Sequence, residues 1–475
     1  MRIIKKFSVK LVFGILFILL LNKIKAQYLN PNEYPLVTEP VISLKTIDHH
    51  SEGFLVTWDT IIFHFFRQDP GFFGNHTGNG GRIIMRKSYD NGDSWTVPEV
   101  IYDSPYDDRN VHGGITENGR IIVTFREYNA QLQQHINYKL IYSNDFGQSW
   151  EGPIIIETQG VSSGTHQIFG NDNMGYYNII YNHKYCELRH SWDGIIWDSI
   201  VYVWDYRLTN QFKISEASFT YLGNGVIIGL FRNDSGVFGE NFLQVESYDY
   251  GLTWTEPTLT NIADGFFCPS PWIFYDFLHN HIWIIAIDRR GNFPPMHIHN
   301  FSNIWLYKHY PDEILGNAHE YMPFLTFLRP RPSFFRIYGY PVSTRTANGN
   351  YLVIFTESEY RNKGEWAYLY QFKIIYNLGP GLKVSDNNLN NLKVFVFPNP
   401  SSEFINLVGN VMNEDSDYEL NIYNHLGQLV LNETGSSRSD GSFHRYINIS
   451  QWAAGLYRCI IKQNDEILMT SFVKK

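Results

Sequence analysis

The amino-acid sequence predicts an all-β protein, a six-bladed β-propeller followed by a small C-terminal β-sandwich. Three observations carry this expectation. Four turns anchored on tryptophan stand at Ser88-Tyr89-Asp90-Asn91-Gly92-Asp93-Ser94-Trp95, Ser143-Asn144-Asp145-Phe146-Gly147-Gln148-Ser149-Trp150, Ser191-Trp192-Asp193-Gly194-Ile195-Ile196-Trp197 and Ser247-Tyr248-Asp249-Tyr250-Gly251-Leu252-Thr253-Trp254. Their first serines are 55, 48 and 56 residues apart, the period of a four-stranded blade rather than of a helical solenoid. A second phrase, Asn-Gly before an apolar run, recurs at Asn118-Gly119, Asn224-Gly225 and Asn348-Gly349 and is a short-range hairpin signal. Aromatic residues make up 16% of the chain and long amphipathic helical stretches are hard to find, which favours packed sheets.

The chemistry of the repeated turn is local. Aspartate at its third place accepts hydrogen bonds from backbone N–H groups of the same turn, and glycine two residues on takes a positive φ. Tryptophan then buries a large ring beneath the hairpin. The third turn is one residue shorter than the others.

Met1-Arg2-Ile3-Ile4-Lys5-Lys6 is basic, Leu11–Leu21 is an apolar run of eleven residues, and Ala26 precedes Gln27. This reads as a signal peptide over 1–26, since eleven apolar residues are too few to span a bilayer. No transmembrane segment is therefore expected in the mature chain. A Pro/Asn/Tyr-rich leader occupies 27–41. Repetitive β structure over 42–377, 336 residues, allows six blades at roughly 55 residues each. Blades five and six lack a recognisable tryptophan turn. Gly379-Pro380-Gly381 and the polar run 385–391 mark a linker over 378–391. From 392 to 475, alternating strands with tight turns suggest the sandwich.

The tryptophan turns resemble the Asp box, S-x-D-x-G-x-[ST]-W, of sialidases and related BNR-repeat proteins, and three of the four copies are complete. Asp boxes usually sit on outer turns, so they speak for the propeller and not for catalysis. The C-terminal segment carries Pro398-Asn399-Pro400, Tyr423 with Gly427 and Val430 in a Y-x-x-x-G-x-x-V phrase, and Gly455-Leu456-Tyr457 before a Lys474-Lys475 end. It resembles the C-terminal sorting domain of the type IX secretion system. That resemblance implies the type IX machinery as a partner, passage through periplasm and outer membrane, and a secreted or cell-surface location. A glycan-binding accessory sandwich is the alternative for this segment.

A net charge of −9 and a pI near 6.0 offer no basic footprint for nucleic acid and suit a soluble secreted protein. Cys186, Cys268 and Cys459 are far apart and lack metal spacing, so buried free thiols are expected. No phosphate loop or HExxH helix occurs, and neither cofactor nor metal is expected.

A propeller presents the ends of its inner strands around a central pocket. Sialidases there use a Tyr nucleophile paired with a Glu, an Asp acid/base, and three Arg residues that hold the substrate carboxylate. A neutral attacker avoids repulsion at an anomeric carbon that already bears a carboxylate. Guanidiniums suit that carboxylate through forked, charge-assisted hydrogen bonds. Ser215-Glu216-Ala217-Ser218, ending a strand pair at Phe231-Arg232, resembles the family's Glu strand, which implies Glu216 as the activator and Arg232 as a carboxylate ligand. Tyr338-Gly339-Tyr340-Pro341 before Ala347-Asn348-Gly349 resembles the last-blade Tyr motif, which implies Tyr340 as nucleophile with Glu357 nearby. Asp288-Arg289-Arg290-Gly291 offers a further Arg, with Arg290 preferred to Arg289. Phe65-Phe66-Arg67-Gln68-Asp69 resembles the first-blade strand end, with Arg67 on the substrate and Asp69 as the acid; Asp108, in Asp107-Asp108-Arg109-Asn110, competes for the acid role.

One departure matters. Sialidases begin with an FRIP motif whose Arg completes the triad, and between Gln27 and Phe66 this chain has no Arg. Arg67, Arg109 or Arg126 would have to substitute, or the substrate is held differently, is another sugar, or is no longer turned over. The implied function is a secreted exo-glycoside hydrolase of sialidase type that removes terminal sialic acid or a related acidic sugar from glycans by a retaining Tyr/Glu mechanism. The alternatives are a non-catalytic glycan-binding propeller and a propeller hydrolase or lyase acting on another polysaccharide.

Overall fold

The computed structural model describes residues 35–71, 78–158, 163–164, 168–171, 175–182, 184–209, 211–235, 241–262, 270–287, 301–330, 336–361, 364–376, 393–397, 403–410, 416–424, 428–437, 442–463 and 466–474. The expected signal peptide, most of the leader and the expected linker lie outside them. The fold is all-β: among the described residues the helices are the single turns Tyr206–Thr209 and Pro311–Ile314. Two compact units emerge, one of 1–220, 228–246 and 252–382, the other of 383–475 with the short segments 221–227 and 247–251.

In the larger unit, strands that follow one another in sequence pair side by side. The run His49–Trp58, Ile61–Asp69, Arg82–Ser88 and Glu99–Tyr102 forms half of a nine-stranded sheet; Arg336–Arg345, Tyr351–Arg361 and Gly364–Ile375 form the other half. A single parallel bridge, Ala367 to His49, joins the halves. A four-stranded sheet follows with Asp107–Ile115, Ile121–Asn129, Gln134–Ser143 and Glu151–Thr158. Then come a five-stranded sheet containing Gly175–Tyr181, Tyr185–Ser191 and Asp198–Asp205, and a four-stranded one opened by Ile214–Gly223 and Val226–Asn233. The last comprises Trp272–Asp276, His281–Ile287, Phe301–His309 and Pro323–Pro330.

The N-terminal strands Leu36–Val37 and Val41–Leu44 pair with Gly364–Ile375, in a register that sets Val41 against Gln371 and Leu44 against Leu369. Early and late parts of the unit are therefore hydrogen-bonded together, and the end of the expected leader is strand.

Strand Ile61–Asp69 shows how sequence alternation builds the core. Its side chains point alternately to two faces. Ile62 and Phe66 join a cluster with Leu352, Ile354 and Trp283, whereas Phe63 and Phe65 join Val111, Ile121 and Phe125. Both faces are buried, which is why the strand reads as a near-continuous apolar run. The same alternation sends Arg67 to the side of Phe63 and Phe65, where it meets Asp107.

The tryptophan turns adopt the expected chemistry. Asp90 Oδ1 accepts from Ser94 N at 2.8 Å and from Ser88 Oγ at 2.8 Å, and Asp145 Oδ1 accepts from Ser149 N at 2.8 Å. Ser88, Ser143, Ser191 and Ser247 each accept, through Oγ, the N–H of their turn's glycine at 2.8 Å. Those glycines have φ of +85°, +76°, +74° and +83°. Trp95 Nε1 donates to Gln371 Oε1 at 3.0 Å, and Trp150 packs edge-on to Phe65, so these two turns are tied to an adjoining strand run. Cys186 and Cys459 are buried free thiols, whereas Cys268 lies outside the described residues.

The C-terminal unit holds a three-stranded sheet (Lys393–Phe397, Phe404–Asn410, Ser442–Asn448) and a four-stranded one (Leu429–Ser436, Asp417–Asn424, Gly455–Gln463, Glu466–Lys474). One buried cluster takes Ile405, Leu407 and Phe443 from the first sheet and Leu420, Ile422, Tyr457 and Phe472 from the second.

Candidate functional site

Six chain segments of the larger unit meet around one cavity. Its lining comprises Glu52 and Gly53, Asn110 and His112, Tyr181, Glu216 and Ala217, Ser270, and Tyr340. Five of the segments are strands that belong to different runs; the sixth, at Ser270, lies just before strand Trp272–Asp276. Glu216 and Tyr340, 124 positions apart in the chain, thus share one space. The cavity is tight, with room for about one water molecule.

A recurring backbone device aims these side chains. Glu52, Asn110, Ser270 and Tyr340 have φ of +41°, +52°, +39° and +52°, a region that residues other than glycine rarely adopt. Three of them coincide with interruptions in strand register, between Ser51 and Gly53, Arg109 and His112, and Gly339 and Val342. A β-bulge of this kind bends the strand and redirects a side chain, and such bulges cluster beside active sites. Gly53 is required there: a Cβ would stand 2.1 Å from the Phe65 carbonyl oxygen.

Charged groups surround the cavity. Arg232 Nη1 donates to Glu216 Oε2 at 2.9 Å, and Ser270 N donates to the same oxygen at 2.9 Å. Arg232 Nε also lies 3.0 Å from Asp234 Oδ1. Burial opposes the charge on Arg232, but Glu216, Asp234 and the Tyr340 phenol outweigh it and raise its pKa. Arg109 Nη2 approaches Glu52 Oε1 at 3.3 Å and its Nη1 lies 3.7 Å from Asp107 Oδ2. Asn110 N donates to Glu52 Oε2 at 2.7 Å, and Arg126 Nε donates to Asn110 Oδ1 at 2.6 Å. Arg67 is fully buried; its Nε donates to Asp107 Oδ1 at 2.7 Å, and Nη2 stands 3.7 Å from Asp69 Oδ2.

The Glu52 carboxyl illustrates the balance. Burial alone would raise its pKa, yet Arg109, Arg67 and Arg126 together lower it, so it is an anion among guanidiniums. Arg109, desolvated but faced by Glu52, Asp107 and Tyr340, is held more firmly charged, while burial and then Arg109 lower Arg126. Arg109 and Arg126 are directly paired across their strands, a like-charge juxtaposition that only nearby carboxylates make tolerable.

The candidates chosen from sequence therefore divide. Glu216 and Tyr340 line the cavity; Arg232 and Arg109 lie within electrostatic reach of Tyr340; Arg67 and Asp69 extend the same cluster by way of Asp107. Asp108 is elsewhere. It accepts from Ser104 N at 2.8 Å and Ser104 Oγ at 2.9 Å, and it pairs across the strands with Glu127, itself bound to Lys139. Successive side chains of a strand face opposite ways, so Asp107 rather than Asp108 meets the arginines. Arg290 and Arg289 lie outside the described residues. Glu357 is buried on strand Tyr351–Arg361, opposite Tyr338 and Tyr368.

Sequence reasoning passed over Glu52, Asn110, His112, Tyr181 and Ser270. A signal existed for the first: His49-His50-Ser51-Glu52 is a polar opening to a strand that continues Phe54-Leu55-Val56, and such residues at an inner strand end are unusual unless they serve a site. Among the described residues no group of three or more His, Cys, Asp or Glu side chains is placed to hold a metal ion.

Residues 395–475 match the secretion system C-terminal sorting domain family. The protein is accordingly a secreted or cell-surface protein of the type IX route. No curated protein matches the chain by sequence. Among solved structures, a protein of unknown function from Dyadobacter fermentans is similar over 71% of this chain and 99% of its own, with 16% identity and a TM-score of 0.56. The phage phi92 endosialidase is similar over 75% and 72% of the two chains, at 12% identity and a TM-score of 0.53. The NanB sialidase from Streptococcus pneumoniae follows with 73% and 71%, 11% identity and a TM-score of 0.50. At these identities the likeness is one of fold: the chain shares the fold of sialidase-type propeller proteins.

Proposed function

We propose that this secreted protein is a retaining glycoside hydrolase of sialidase type, built on a six-bladed propeller and exported by its C-terminal β-sandwich, with the cavity between Glu216 and Tyr340 as its active site. The convergence of these two side chains in one cavity, with Arg232 bridging toward both, supports the reading most strongly. In the proposed step the Tyr340 oxygen bonds to the anomeric carbon as the bond to the leaving oxygen breaks. The phenol proton passes to Glu216, and the leaving oxygen takes a proton from Asp69. Water then attacks the anomeric carbon and gives up one proton to the Asp69 carboxylate, while the bond to Tyr340 breaks and the phenol recovers its proton from Glu216. Asp69 is preferred to Asp108 because Arg67 joins it to the cluster. Since a sugar ring is far larger than one water, the surrounding side chains or chain segments must move when substrate enters.

A second reading concerns the sugar. The guanidiniums that would hold a substrate carboxylate already face Glu52 and Asp107, a partner pair from within the chain. Glu52 lies in the stretch between Gln27 and Phe66 that has no Arg, where the sialidase resemblance would expect the FRIP motif. This favours a terminal sugar without a carboxylate. A panel of 4-methylumbelliferyl glycosides, one sialoside and several neutral sugars, distinguishes the readings. Turnover of any member that is lost in Tyr340→Phe and in Glu216→Gln is the expected result, and the preferred member names the sugar class. Saturable glycan binding by folded protein with no turnover on the panel would instead make this a binding propeller.

A further inference from the structure

A second cleft, which shares no lining residue with the Glu216–Tyr340 cavity, lies on the last four-stranded sheet of the larger unit. It measures about 660 Å³, within the range of small-molecule sites. His281 opens strand His281–Ile287, and Tyr310 leads into the helical turn Pro311–Ile314; both line the cleft, together with Lys308 and Phe324.

His281 is the telling residue. It is 2% exposed, and neither ring nitrogen has a hydrogen-bond partner among the described residues. Its ring packs on Tyr310 at 4.7 Å between centroids. A buried polar side chain left unpaired is costly, and native structures rarely keep one without a use. The neighbouring His309 differs: it takes the N–H of Met322 on Nε2 at 3.0 Å and faces Glu313 through Nδ1 at 3.2 Å, so both its nitrogens are occupied.

We propose that this cleft is a second ligand site which takes a neutral, hydroxyl-rich group, a hexose unit of a glycan, with His281 as its buried hydrogen-bonding residue. A hydroxyl both donates and accepts, so it satisfies an imidazole in either tautomer. Burial, then Lys308, lowers the pKa of His281 to about 4, which keeps the ring neutral and suited to a neutral partner. The rings of Tyr310 and Phe324 supply the apolar faces on which a sugar stacks. Asp312, Glu313 and Glu320 outnumber the single Lys308 at the rim and disfavour an acidic sugar. Such a site would hold the glycan while its terminal residue is processed elsewhere on the same chain.

Titration of the full secreted chain with lactose, cellobiose and maltose tests this, with N-acetylneuraminic acid as the acidic control. At least one neutral disaccharide should bind saturably, at least tenfold more tightly than any acidic-sugar binding that depends on Tyr310. Tyr310→Ala, at a partly exposed rim position, should weaken binding at least fivefold, and His281→Leu should abolish it while His281→Gln retains it. Binding in Glu216→Gln should be unchanged. Absence of saturable binding by all three disaccharides overturns the proposal, as does equally tight binding of the acidic sugar that Tyr310→Ala also weakens. Binding that survives both Tyr310→Ala and His281→Leu, or that is lost only in Glu216→Gln, overturns it too, the latter by placing the sugar in the central cavity.

Discussion

Asp107 and Asp108 are neighbours in the chain and opposites in environment, and the contrast yields a pH test. Burial first, and Glu127 after it, raise the Asp108 carboxyl to about 8 in spite of its bonds from Ser104. The folded chain therefore keeps a proton that the unfolded chain releases near its ordinary value of 3.8. A group of this sign contributes stability below pH ~4 that is lost as pH rises toward ~8. Asp108→Asn removes the titration, so calorimetric melting temperatures should show the variant gaining on the parent between pH 5 and pH 8; a difference that stays constant across that window contradicts the assignment. Glu52 offers a second test. Glu52→Gln removes the carboxylate that faces Arg109 and Arg126 and leaves Asp107 as the remaining anion beside Arg109, which should cost about 3 kcal/mol of stability in urea unfolding. If the resident carboxylate is what excludes acidic sugars, the same variant should bind N-acetylneuraminic acid roughly tenfold more tightly, about 1.4 kcal/mol. Unchanged affinity in folded variant would show that Glu52 does not set the sugar class.

At the scale of strands and turns, the bulges that aim Glu52, Asn110 and Tyr340 depend on close backbone approach. An added methyl at Gly53 would meet the Phe65 carbonyl at 2.1 Å, and backbone cannot step aside as a side chain can. At Gly316, with φ of +73° and no atom within 4 Å of the added carbon, only the backbone penalty of about 1 kcal/mol applies. Gly53→Ala should therefore cost about 2–3 kcal/mol, clearly more than Gly316→Ala, in denaturant melts. Equal losses would mean that the first strand shifts freely and that the bulge positions nothing. The turns were legible in the sequence because their bonds close within a few residues, as Ser88, Asp90, Gly92 and Ser94 show. The bulges were not, because a left-handed Glu52 or Tyr340 is imposed by packing from distant strands and leaves no local trace. Period-two alternation could have ranked Asp107 above Asp108 beside Arg109, had the strand been placed first.

For the molecule as a whole, the sorting-domain match lies in the C-terminal segment and the Glu216–Tyr340 cavity lies in the larger unit. A chain ending at residue 391 should be made and folded yet retained inside the cell, whereas the full chain is recovered at the surface or in the medium; equal recovery of both would remove export from the C-terminal segment. The succession of small antiparallel sheets followed from the spacing of the tryptophan turns together with the Asn-Gly hairpins, and the Tyr340 and Glu216 candidates followed from family resemblance. The partner set around them did not, since Glu52, Tyr181 and Ser270 meet only when six separate segments meet. The proposed mechanism stands or falls on covalent chemistry at the phenol. Incubation with a 3-fluoro-sialosyl fluoride, and with 2-fluoro analogues of any neutral sugar the chain turns over, followed by peptide mass spectrometry, reads this directly. The expected result is one glycosyl adduct on the peptide that contains Tyr340, absent in Tyr340→Phe; an adduct on Glu52 or Glu216, or none while substrate is still hydrolysed, contradicts it.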